Sequence, residues 1–477
     1  MTVTVAKPIL LGGQWIQTSS VDRVISPSSG EILATVCQAE SEHIQQALDS
    51  VQRGAAELAR VPSHARAKAL THIANEILAR REEFATTICQ ESGKPITDAR
   101  REVDRAIQTF HLAAEESKRI PGEVLPMDIT PGGEAYSGYV KRFPIGPVLC
   151  ITPFNFPLNL VAHKVAPCLA AGNALVLKPA PQTPLTSLLL GEVIMTTDLP
   201  SEAVTILPCS NALAEHMVEH PVFQALSFTG SVTVGWMLKG KAGQKRVLLE
   251  LGGNAGVIIE PDAKLDGAID RCVIGGYGYS GQTCISVQRI FIHETRYHQF
   301  LTQFVERVRA LPVGDPSHEN TVIGPLVNEQ AAKRVEAWIQ EAVSRGATVQ
   351  TGGIRKGSVV EPTVLTDVRS TMKVCCEEIF GPVVTVTPYA NFEEALELLN
   401  DSPFGLQAGI FTNTINHMDQ AFSKLEVGAV LINEVPTFRA DHMPYGGIKN
   451  SGLGREGVRY AIQELTEPKL LIVKPSF

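Results

Sequence analysis

The chain has 477 residues, 44% hydrophobic and 19% charged, with a net charge of −8. That length implies two or three domains around large buried cores, and the acidic balance, without a long basic run, argues against a nucleic-acid or acidic-membrane partner. No apolar run reaches the ~18 residues that span a bilayer, the start MTVTVAKPILLGGQW is too short an apolar run for a signal peptide, and nine cysteines without C-x-x-C spacing suit a reducing cytoplasm rather than a disulfide framework or zinc ribbon.

The N-terminal third reads as helical. One helix is expected from a capping Ser63 to the turn at Gly93 and Pro95, and a second from about Asp98 to Lys118. EAYSGYVKRFPIG then alternates like an exposed strand or hairpin. From residue 147, short apolar runs alternate with helical stretches: PVLCITPFN, NALVLKPAP, AVTILPCS, ALSFTGS and RVLLELGG. Such alternation predicts an open parallel sheet with helices on both faces, and ligands bind beyond the carboxyl ends of its strands. Asn155, Lys178, Gly230, Ser231 and Glu250 all fall there. A second series, AGVIIEPD, RIFIHE, EPTVLTD, GPVVTVTPY, AGIFTN and GAVLINE, predicts a second α/β unit that contains Cys284. The two units would form a cleft, with residues 155–250 on one wall and Cys284 on the other.

Three motif matches fail on context. Gly276, Gly278 and Gly281 spell G-x-G-x-x-G, with Glu294 near the spacing of a ribose-binding acid. The preceding KLDGAIDRCVIGGYG has helical spacing, however, where the fingerprint requires a strand. Close packing that leaves space beside Cys284 is the better reading. HMVEH, His216 to His220, resembles a zinc motif but runs into Pro221 with no third ligand nearby. GWMLKGKA nearly matches a phosphate loop, yet Ala242 stands where a metal-binding hydroxyl belongs. No metal site is expected. Cys284 stands out by its polar, glycine-rich approach, and Glu250 by being a carboxylate in an apolar strand, where it needs a partner or a function.

TPFNFPLNL, LVLKPAPQTP, FTGSVTVG, LLELGGN, GYSGQTC, EEIFGPVV and MPYGGIKNSGLGREG occur in this order along nearly the whole chain, and together they resemble the aldehyde dehydrogenase superfamily. The resemblance implies a Rossmann-like parallel-sheet cofactor domain (1–122 and 145–252), a second α/β catalytic domain (253–440), and a small β oligomerisation element (123–144 and 455–477). It makes Cys284 the nucleophile, Glu250 the base that activates water, and Asn155 the side-chain donor of the oxyanion hole. Lys178 would hold the adenosine ribose, Gly230, Ser231 and Gly235 the pyrophosphate turn, and Glu378 and Phe380 the nicotinamide ribose and ring. Thr152, Phe154 and Leu251 complete the expected cofactor wall. A homodimer or homotetramer is implied. A cysteine hydrolase would share Cys284 but not the nucleotide residues, and a coenzyme-A-acylating relative would lack Glu250.

Substrate and cofactor preference are less evident. Arg439 falls where the family lines the mouth of the substrate tunnel. Arg105 matches a phosphate-contacting arginine of the non-phosphorylating glyceraldehyde-3-phosphate branch, to which, with the lactaldehyde enzymes, the chain is nearest. Phe156 stands where that branch has tyrosine, and Thr283 where an arginine precedes the nucleophile. The expectation is a short polar or anionic aldehyde. Pro181, in LKPAPQTP, replaces the glutamate that accepts from the adenosine ribose in NAD-preferring relatives, so NAD and NADP are both expected to serve.

Overall fold

The computed structural model describes residues 5–474. An eight-stranded sheet runs in the spatial order Gln14–Ile16, Ile9–Leu11, Val204–Ile206, Leu175–Lys178, Val148–Ile151, Ala225–Thr229, Arg246–Glu250, Gly452–Leu453. Its five central strands are the five apolar runs of the first series, and all pair in parallel. The edges are antiparallel: a hairpin from residues 9–16 closes one side, and Gly452–Leu453 the other. Val148–Ile151, Leu175–Lys178 and Ala225–Thr229 are buried at every residue, as strands covered on both faces must be. Helices Ser63–Ala79, Ile96–Glu116, Asn159–Ala171 and Pro184–Ile194 pack one core against the sheet, and Ser41–Leu58, Asn211–Glu219 and Val232–Lys241 the other.

The second sheet has seven strands, in the order Thr348–Thr351, Thr363–Thr366, Val383–Tyr389, Val287–His293, Ala255–Ile259, Gln407–Phe411, Ala429–Ile432. The six runs of the second series are its six parallel strands, and only Thr348–Thr351 runs antiparallel. A third sheet pairs Thr466–Val473 with Ser137–Pro144 along eight residues each, flanked by Glu123–Leu125.

Three expectations change. The N-terminal third is not helical throughout: residues 9–37 supply four short strands. The long helix from Ser63 is two helices, Ser63–Ala79 and Arg81–Ser92, because Arg80 leaves helical geometry at φ −105°, ψ 22°. Pro62, not Ser63, occupies the cap, and its side chain, which carries no hydrogen-bond acceptor, makes no capping bond. The stop at Gly93 holds, with φ +71°.

Candidate active site

The parallel register sets Ile151 beside Lys178 and Phe228, and Thr229 beside Glu250. Everything just past these residues therefore opens at one sheet edge. There lies a cavity of about 610 Å³. Thr152, Phe154, Asn155, Lys178 and Pro181 line one side, Gly230, Ser231, Glu250 and Leu251 another. Cys284, Glu378 and Phe380 close it from the second α/β unit.

The chain reaches Cys284 through three consecutive left-handed residues, Tyr279 (φ 49°), Ser280 (φ 53°) and Gly281 (φ 71°). At Gly281 a side chain is impossible, because a Cβ would lie 2.2 Å from the Gly381 carbonyl. Two of the three glycines that mimic a phosphate loop thus serve close packing: besides Gly281, Gly276 lies inside the helix Leu265–Tyr277, where a Cβ would meet Val384 at 2.6 Å, whereas one on Gly278 would meet nothing within 4 Å. Ser280 Oγ donates to the Gly324 carbonyl (2.9 Å), and Gln282 Oε1 accepts from the Val327 N–H (2.9 Å), so the strained turn is strapped from outside.

Cys284 is half-buried, with its sulfur 3.1 Å from the Tyr445 hydroxyl. Burial pushes its thiol up to about 12, while the Tyr445 hydrogen bond and the charge of Arg439 pull it down. Asn155 is 4% exposed and donates one amide hydrogen to the Gln282 carbonyl (3.0 Å). A primary amide has two such hydrogens, so one remains for an oxyanion. Glu250 is 4% exposed, and its Oε2 is buried without a hydrogen-bond partner. Burial, then the neighbouring Glu456, hold its carboxyl well above the usual range, with Arg439, Lys164 and Arg455 opposing.

At the far end of the cavity, Gly253 N–H donates to Glu378 Oε1 at 2.9 Å, and a Cβ on Gly252 would stand 2.3 Å from the other carboxyl oxygen. The glycine pair makes room for Glu378, whose carboxyl burial raises to about 7. Phe380 meets Phe154 edge to face, with centroids 5.9 Å apart. Lys178, its charge disfavoured by burial, donates to Asn211 at 3.3 Å. Thr229 Oγ1 is buried and unpartnered, and the helix Val232–Lys241 begins at Ser231 without a side-chain cap. Its free backbone donors beside an orphaned hydroxyl make a cradle for a diphosphate, so the residues present fit a nicotinamide dinucleotide. Gly235 does not line this cavity. It lets the helix sit on Leu251, whose Cδ2 would be 2.3 Å from a Cβ there.

The residues singled out for substrate lie off the cavity wall. Arg439 is not at an open mouth: its side chain is 6% exposed, donates to Glu456 Oε2 (3.0 Å) and stacks on Tyr445, while its Nε has no partner. Arg105 is bound to Asp441 at 2.7 Å, which His163 also meets at 2.8 Å. Phe156 packs edge to face on Tyr279, and Lys94 Nζ lies 3.7 Å from its ring centroid. Thr283 Oγ1 is buried without a partner. The sequence does not single out Tyr445, Glu456, Lys164 or Arg334, the last of which lines the cavity. A lysine within LVAHKVAPCLAA was the available signal for the buried Lys164–Glu456 pair (3.2 Å), since a charge in an all-buried helix requires a partner. Tyr445 lies within MPYGGIKNSGLGREG, but nothing local to that run records the Cys284 sulfur it meets, 161 residues away in sequence.

Comparison with known proteins agrees with this architecture. The model of the aldehyde dehydrogenase family matches residues 15–471. The chain is 40% identical over 466 residues to a 3-sulfolactaldehyde dehydrogenase of Priestia aryabhattai, covering 98% of this chain and 97% of that one. Its structure is similar to that of aldehyde dehydrogenase 21 from Physcomitrella patens in complex with the reaction product succinate (TM-score 0.97, 44% identity, 99% of both chains). It is also similar to glyceraldehyde-3-phosphate dehydrogenase from Methanocaldococcus jannaschii complexed with NADP (TM-score 0.92, 36% identity, 96% of this chain and 100% of that one). The chain belongs to the aldehyde dehydrogenase family. It is an NAD(P)-dependent oxidoreductase acting on aldehydes.

Proposed function

We propose that this enzyme oxidises a small polar or anionic aldehyde to its carboxylic acid, with Cys284 as nucleophile, Asn155 as oxyanion donor and Glu250 as base. The observation that carries the mechanism is the unpartnered, buried Glu250 Oε2 in the same cavity as the Cys284 sulfur. The Cys284 thiolate adds to the aldehyde carbon, forming a C–S bond and moving the carbonyl electrons onto oxygen. The free Asn155 amide hydrogen meets that oxyanion, a contact typically worth ~3–4 kcal/mol. When bound, the nicotinamide supplies the acceptor for the hydride that the tetrahedral carbon gives up. Water then adds to the thioester, Glu250 takes its proton, and the thiolate leaves. The raised Glu250 carboxyl is protonated at low pH, so its base form, and with it acid release, grows as pH rises through its elevated range. Lys178, Thr229, Ser231 and the helix start after it would hold the dinucleotide, and Glu378, Phe154 and Phe380 its nicotinamide end.

The substrate class is supported by the similar 3-sulfolactaldehyde enzyme and by the succinate bound to the similar plant enzyme. We assign the assembly to the third sheet, whose strand Thr466–Val473 exposes Leu470, Leu471, Ile472 and Val473, in a homodimer or homotetramer. No helix of the described residues is long and apolar enough to cross a membrane. Nine free cysteines suit a cytoplasmic setting.

Single-turnover kinetics test the mechanism. Cys284→Ala should abolish reduction of the cofactor, and Glu250→Gln should give a burst of reduced cofactor followed by little acid release. Near-normal turnover by Cys284→Ala refutes the assignment. A panel of sulfonated, carboxylated and hydroxylated short aldehydes against hexanal and benzaldehyde tests the substrate class, which fails if the apolar members have the highest kcat/KM. Product requiring coenzyme A would instead favour an acylating enzyme.

A further inference from the structure

Tyr445 is 2% exposed, and the sulfur of Cys284 is the one hydrogen-bond partner of its hydroxyl among the described residues, at 3.1 Å. The ring is held on two sides. Its backbone forms an antiparallel bridge with Glu456, with the Tyr445 N–H donating to the Glu456 carbonyl at 3.1 Å. The Arg439 guanidinium lies 3.6 Å from its centroid and is itself tied to Glu456. A buried phenol needs an acceptor for its single proton. A neutral thiol is a weak acceptor and a thiolate a strong one.

We propose that Tyr445 is a further catalytic residue, whose phenol donates a hydrogen bond to the Cys284 sulfur and stabilises the thiolate, with Arg439 stacked beneath it as a positioning residue. This rests on Cys284 being the nucleophile. The proton lost by Cys284 goes to the Glu250 carboxylate or to solvent through the cavity, and the phenol keeps its own. Once the C–S bond forms, the charge moves to the oxyanion and the phenol's bond weakens. When the thioester breaks, the sulfur leaves as thiolate and regains that bond, so one contact serves both attack and departure. The groups that bear on the thiolate are Tyr445 and Arg439, which favour it, and the carboxyls of Glu378 and Glu250, which oppose it. Behind Glu250 stand Glu456, Lys164 and Arg455. Burial and the neighbouring sulfur keep the phenol protonated, with Arg439 opposing, so it stays a donor.

The test is the rate of iodoacetamide alkylation at Cys284 against pH in the full-length enzyme, read by peptide mass mapping, beside kcat and KM. Tyr445→Phe removes one oxygen and keeps the ring for Arg439. It should raise the inflection by about one unit or more, lowering alkylation and kcat at neutral pH about tenfold, because hydrogen bonds to charged groups are of that strength. KM for the aldehyde should stay within about twofold, the range left to a group that acts on sulfur rather than on bound substrate. An unchanged inflection in Tyr445→Phe, or an effect confined to KM, overturns the proposal and makes Tyr445 a wall of the substrate site. Retained turnover in Cys284→Ala overturns the nucleophile assignment beneath it as well.

Discussion

The cofactor preference expected of Pro181 can be tested at a single side chain. It lines the cavity with Gln182, Asn211 and Glu215, near Lys178. Glu215 is the carboxylate nearest in kind to the one Pro181 displaces, but Lys241 engages it at 2.8 Å. Pro181→Glu would add an unpaired negative charge that accepts from ribose hydroxyls and repels a 2′-phosphate. The expected result is a shift of the kcat/KM ratio toward NAD by about tenfold or more, the scale of a hydrogen bond to a charged group. An unchanged ratio would pass the determinant to Asn211 and Glu215. At this scale the sequence was most informative where chemistry and position coincide. Lys178 and Glu250 are the last residues of their strands, and Asn155 and Gly230 follow theirs, so apolar runs and their punctuation placed them. Arg439 was misplaced for a physical reason: whether an arginine is solvated or buried depends on Glu456 and Tyr445 folding over it, which no local pattern records.

Among the elements, the helix Ile96–Glu116 does more than pack. Its Glu102 accepts from the N–H groups of Leu158 (2.9 Å) and Asn159 (3.1 Å), capping the start of Asn159–Ala171 just after Asn155. Lys94, fully buried, pairs with Glu102 and lies 3.7 and 4.4 Å from the ring centroids of Phe156 and Tyr279. One ammonium group therefore joins the oxyanion loop to the approach of the nucleophile. Lys94→Met leaves Glu102 buried and unpaired, which should destabilise the protein by about 3–5 kcal/mol. Adding Glu102→Gln should recover a measurable part of that loss. Chemical denaturation of both variants checks this, and equal midpoints for wild type and Lys94→Met would refute it. The parallel strands of both sheets were legible because they are short apolar runs between turn residues. The edge strands were not: Ile9–Leu11 and Gly452–Leu453 are too short to carry a period of their own and exist because a sheet edge receives them. The break at Arg80 was hidden for a related reason, since apolar spacing continues on either side of it.

For the whole molecule, assembly is an expectation that rests on the family resemblance, because an exposed alternating strand fits a free edge as well as an interface. The contiguous apolar residues of Thr466–Val473, with Leu471 60% exposed, are the surface to test. Leu471→Asp should lower the mass measured by light scattering to that of a smaller species, while the cavity, built from other sheets, keeps its fold. An unchanged mass would move the interface elsewhere. The eight-stranded sheet also has a temporal meaning. One edge is made of residues 9–16 and the other of Gly452–Leu453, with Tyr445 and Glu456 close by in sequence. On the ribosome the edge of residues 9–16 emerges first and must wait for Gly452–Leu453 before its sheet is complete. The nascent polypeptide therefore carries Cys284 for some time without the phenol and arginine that act on its sulfur, and the thiol gains their help only after the 161 residues that lead to Tyr445 have followed it.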